Sequence, residues 1–89
     1  MRAILTVIGK DKVGIIAGVS QKLAELNINI LDVSQTIMDS YFTMMMVLAV
    51  SKENNDFEQI RSELNQLGEH LGVTISIQNE EIFNTMHKL

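Results

Sequence analysis

Residues 9–36 read GKDKVGIIAGVSQKLAELNINILDVSQT, and the division of this stretch into turn, helix and strand decides the fold. The apolar segment Ala3 to Ile8 runs into Gly9-Lys10-Asp11-Lys12-Val13-Gly14. Two glycines and a short acid there favour a tight change of direction over more strand. Asp11 is placed to accept hydrogen bonds from backbone N–H groups two or three residues on, and Gly14 to let a first helical turn come close to what lies opposite. Ile15/Ile16, Val19, Leu23 and Leu26 then recur at helical spacing, with Ala17, Gly18 and Ala24 between them. That pattern predicts a helix over Gly14 to Leu26 with one apolar face for a sheet. Asn27 suits a left-handed stop. In the strand that follows, Ile28 and Ile30 share a face while Leu31, Val33 and Ile37 fall on the other parity. The slip near Ile30 predicts a bulge or bend.

Working outward, Ala3, Leu5, Val7 alternate with Ile4, Thr6, Ile8, apolar on both faces as in a central strand. Asp39-Ser40 interrupts the pattern and lets Tyr41 to Val50 return as a hairpin. Met44, Met45 and Met46 must alternate in a strand, so something other than water is needed on its second face. Asn55 and Glu58 have capping-box spacing for a helix over Asp56 to Leu71. Its stripe is Phe57, Ile60, Leu64, Leu67 and Leu71, with Gly68 allowing close approach to the sheet and Gly72 supplying the stop. Val73, Ile75 and Ile77 alternate with Thr74, Ser76 and Gln78 as a half-buried edge strand. The tail, Glu80 to Leu89, places acids first and His87-Lys88 last, matching a helix dipole, and is a candidate cover for the open sheet face. The order is β-α-β-β-α-β. Right-handed crossovers then place both helices on one face of an antiparallel four-stranded sheet, an α+β, ferredoxin-like sandwich with a short C-terminal helix.

Composition bounds function. Eighty-nine residues form a single domain (1–89) with a small core, and 46% hydrophobic residues without Trp or Cys make that core aliphatic, with six Met as adaptable filler. A net charge of -4 with seven scattered basic residues disfavours nucleic acid. The sequence shows neither a membrane-length apolar run nor a signal-peptide pattern, and a cytoplasmic protein is expected. His70 and His87 have no partner at ligand spacing, so no metal is expected. Ser20, Ser34 and Thr36 belong to no recognisable catalytic arrangement, so neither catalysis nor a cofactor is expected.

The GKDKVGI loop, the LAELNINI helix end and the DVSQT strand together resemble an ACT domain, a small regulatory module that binds amino acids beside metabolic enzymes and regulators. The likeness covers nearly the whole chain. It is closest to the stand-alone, single-domain type and is similar to the modules of the glycine cleavage repressor. Where many members have proline before the loop glycine this chain has Val13, and Gly9 stands where some have a polar side chain. The resemblance implies a homodimer formed side by side, with an amino acid at the interface. It implies ligand contacts from the loop, here Gly9, Asp11, Lys12, Val13 and Gly14, and from Asn29 and Ile30 at the start of the second strand.

On residues alone, the loop reads first as a strand-to-helix turn with a capping Asp, and it is the resemblance that favours a ligand seat. Other functions remain open: a dimeric adaptor that docks on an enzyme or regulator without sensing a ligand, a small enzyme, or an RNA binder of the same topology. Acylphosphatases share the element order but need an Arg in the loop after the first strand, and this loop holds only lysines. RNA readers of this shape stack bases on central aromatics, and only Tyr41 and Phe42 qualify, at one strand end.

Overall fold

The computed structural model describes residues 1–10, 13–51 and 56–86. Its elements are β1 (Arg2–Lys10), α1 (Ile15–Glu25), β2 (Ile28–Met38), β3 (Tyr41–Val50), α2 (Phe57–Leu71), β4 (Val73–Asn79) and α3 (Glu80–Met86). The sheet order is β2-β3-β1-β4 with every neighbouring pair antiparallel, the expected ferredoxin-like α+β arrangement. β1 lies mid-sheet, and β2 and β4 are the edges.

Strand parity sorts the sheet into two faces. Ala3, Leu5 and Val7 of β1, Met44, Met46 and Leu48 of β3, and Ile75 and Ile77 of β4 are buried on the helix side against Ile15, Val19, Leu23, Ile60 and Leu64. No polar or charged residue is buried among the described residues, so this core rests on apolar area alone. Gly68 is where α2 comes nearest the sheet: a Cβ there would lie 2.8 Å from the carbonyl oxygen of Val73. α2 then stops at Gly72, left-handed with φ 75.

The phase slip is a bulge: Ile30 pairs with Leu48 and Asp32 with Val47, leaving Leu31 without an opposite residue. Asn27 is left-handed as expected, with φ 59. Two expectations are corrected. The N-cap of α2 is Asp56, whose Oδ1 accepts from the Gln59 N–H at 3.1 Å, one residue later than the box built on Asn55. Asn55 lies outside the described residues, and Glu58 instead pairs with Arg61 at 2.8 Å. The outer face is also covered only in part. α3 packs on β1 and β4, Arg2 pairs with Glu80 at 3.2 Å, and Ile4 is 7% exposed. Farther along the same face Ile8 is 50% exposed, Met45 41% and Tyr41 56%. The last residues of the expected tail helix, His87 to Leu89, lie outside the described residues.

Candidate ligand site and subunit edge

β1 delivers its end to the start of α1. Gly14 is the N-cap, left-handed at φ 95, and brings no side-chain oxygen to the first turn, which also contains no acidic residue. Its role is conformational, because a Cβ there would meet nothing within 4 Å; the close approach expected of Gly14 is not what the structure shows. The first N–H groups of an α-helix have no intrahelical acceptor, and with the helix dipole they favour an anion. Val13 beside them is fully exposed. Asp11 and Lys12 lie outside the described residues.

Asn29 and Ile30 are elsewhere. Register aligns Asn29 with Ala49 and Arg2, whereas Gly9 aligns with Phe42 and Ile37. Seven residues of strand, roughly 23 Å, separate the two rows within one chain. The structure therefore brings Gly9, Val13 and Gly14 to one end of the sheet and Asn29 with Ile30 to the other.

What links the two ends is the β2 edge. Met38 and Tyr41 flank the two-residue turn Asp39-Ser40, so they form the hydrogen-bonded pair of the hairpin. Alternation then aims the N–H and C=O groups of Ile37, Gln35 and Val33 away from β3. Consistently, the Val33 N–H donates to its neighbour Asp32 Oδ1 at 2.9 Å. The side chains of Val33 and Ile37 are 45% and 56% exposed on the helix side, beside α1, where Ile16 is 45% exposed. Parity in the sequence marks these positions as apolar; that none of the described elements covers them emerges only from the fold. The β4 edge is treated differently, because Arg61 Nη2 donates to the Ile77 carbonyl at 3.2 Å while its guanidinium lies 5.1 Å from the Phe57 ring centroid. Among the described residues a side chain reaches the β4 edge, and none is seen to bond the outward groups of Gln35 and Ile37.

A cleft of ≈ 400 Å³ lies away from the loop, lined in part by Glu25, Asp56 and Glu63. Its carboxylates repel a carboxylate ligand, so it does not suit a zwitterion bound by its acid group. Among the described residues no cluster of His, Cys, Asp or Glu could hold a metal ion, and no helix is long and apolar enough to cross a membrane.

Comparison with known proteins identifies the family to which this sheet-and-helix architecture belongs. The ACT domain family model matches residues 2–78. A UPF0237 protein of Listeria innocua is 67% identical over 89 residues, all of both chains. The solved ACT domain protein from Streptococcus pneumoniae superposes with a TM-score of 0.84 at 55% identity, covering 93% of each chain. A putative glycine cleavage system transcriptional repressor shares the fold, with a TM-score of 0.76 at 22% identity over 86% of this chain and 44% of that one. The chain belongs to the ACT domain family.

Proposed function

We propose that the chain is a non-catalytic regulatory module, cytoplasmic, that binds an amino acid where two copies of it meet. The observation that carries the reading is the start of α1, whose N-cap is a left-handed glycine with no side-chain acceptor to offer the first turn. Helical N–H groups there suit a carboxylate, Asp11 in the adjoining loop suits an ammonium, and Asn29 can serve either group.

The separation of Asn29 from the loop supports a shared site. Two β2 edges running antiparallel about a two-fold axis pair outward groups with outward groups, and a register centred on Gln35 sets Val33 opposite the partner's Ile37. Reversal of strand direction carries each Asn29 toward the partner's loop end. The bulge at Leu31 bends the strand just before this point and re-aims what precedes it. Ligand contacts then come from Gly9, Asp11, Lys12, Val13 and Gly14 of one copy and from Asn29 and Ile30 of the other.

The apolar surface of Val13, Ile16, Val33 and Ile37 also suits a second reading, an adaptor that pairs with itself or docks on an enzyme or regulator without sensing anything. A thermal-shift screen of the twenty amino acids separates the two. A ligand bound only by the folded state raises the midpoint by mass action. A rise with one or a few amino acids supports the sensor; no rise with any of them leaves the adaptor.

A further inference from the structure

We infer that Arg61 is a guard on the β4 edge, and that without it β4 pairs with the β4 of a second copy. The strand's own sequence offers no protection. VTISIQN (Val73–Asn79) holds four β-branched residues and no charge, proline or glycine, the make-up of segments that pair with themselves. Protected edges carry a lysine, a proline or a bulge, and β4 runs along β1 without one. The ladder shows where its unpaired groups point. Met1 and Val50 exchange two hydrogen bonds, at 3.0 and 2.8 Å, so odd positions of β1 bond β3 and even positions face β4. Ile4, Thr6 and Ile8 thus bond Gln78, Ser76 and Thr74, which leaves the N–H and C=O groups of Val73, Ile75 and Ile77 aimed outward.

Arg61 reaches this edge from α2. Its Nη2 donates to the Ile77 carbonyl at 3.2 Å, its Nη1 lies 2.8 Å from Glu58 Oε1, and the guanidinium carbon sits 5.1 Å from the Phe57 ring centroid. Phe57 and Glu58 stand one turn before Arg61 on α2, so the helix itself holds the charge over the edge. In an antiparallel β4 pair centred on Ile75, the Ile77 carbonyl must accept from the second copy's Val73 N–H. That is the oxygen Arg61 occupies. A guanidinium has donors only, so the arriving N–H meets N–H groups and positive charge in place of a free acceptor. The exposed Thr74 and Ser76 carry no charge that would oppose the pairing once Arg61 is gone.

Sedimentation velocity of the full chain tests it, with far-UV circular dichroism as the check on folding. Arg61→Met keeps an apolar stem over Phe57 and removes the donors. At a concentration where the wild type holds a single mass, this variant forms species of twice that mass and above, with unchanged circular dichroism. Adding Ser76→Lys, which sets a charge on the exposed side of the edge, returns it to the wild-type mass without restoring the bond to Ile77. Equal mass for wild type and Arg61→Met overturns the inference. So does association that persists with Ser76→Lys, which marks aggregation of a loosened chain. The proposed β2 pairing is scored separately. If β2 also pairs, Arg61→Met has two open edges per chain and adds copies without a fixed end point, and Ile37→Lys cuts it back to pairs. If β2 does not pair, Arg61→Met stops at pairs with or without Ile37→Lys.

Discussion

Two glycines of this chain do opposite work, and substitution separates them. Gly68 has ordinary helical surroundings but no room, since a Cβ would sit 2.8 Å from a backbone oxygen of the adjoining strand. Gly68→Ala should therefore cost about 1–3 kcal/mol through overpacking, read from urea unfolding with an unchanged slope. Gly14 has room but a left-handed backbone, φ 95, so Gly14→Ala should cost about 1–2 kcal/mol by conformation alone. Both glycines are visible in the sequence; which constraint each meets is not, because a close approach depends on the facing element and a φ on the turn. The helix cap expected at Asn55 moved to Asp56 for a similar reason. Asn55…Glu58 and Asp56…Gln59 satisfy the same spacing one residue apart, and the structure selects Asp56. Asp56→Ala should lower stability by about 1 kcal/mol in the same titration, having lost the bond to the Gln59 N–H.

Periodicity carried the elements. The α2 stripe, the Met44–Met46 alternation and the shift from Ile28/Ile30 to Val33/Ile37 each fix a face, and the last appears in the structure as the bulge at Leu31. The expectation that weakened was cover for the second face, since α3 has seven residues and shields the Ile4 end but leaves Ile8 exposed. Hydropathy states that a strand is apolar on both sides without stating what lies over it. The two edges differ in the same hidden way. Arg61 reaches β4 from α2, a contact no spacing rule announces, while the eleven residues of β2 keep outward groups at Gln35 and Ile37. An unblocked edge recruits another strand, and a lysine on it prevents this. Ile37→Lys should convert a side-by-side dimer to a monomer at moderate concentration by light scattering, with helix and strand content unchanged; a wild type that is already monomeric there would remove the β2 pairing from the proposed site.

For the proposed site the sequence supplies residue types but not the distances between them. Gly14 and Asn29 are fifteen positions apart, but α1 between them delivers Asn29 to the far end of the sheet. Only symmetry can reunite such ends, which turns the proposed site into a test of subunit composition. Removing the charged hydrogen bond at Asp11 with Asp11→Ser should cost on the order of 1.5–3 kcal/mol of binding, more than tenfold in affinity, and Asn29→Ala should also weaken it. Each variant dimer then has two damaged sites. When the two variants are unfolded together, refolded and allowed to pair at random, half of the dimers are mixed. In a mixed dimer one site collects both substitutions, while the other joins an intact loop to an intact Asn29. Calorimetry with the best amino acid should recover about a quarter of the sites at wild-type affinity, as two-fold symmetry requires. If the loop and Asn29 of the same chain made the site, every site in the mixture would carry one substitution and none would recover. Because ligand and partner then share contacts, the factor by which the amino acid tightens the dimer must equal the factor by which dimerisation tightens amino-acid binding, and measuring both closes the cycle.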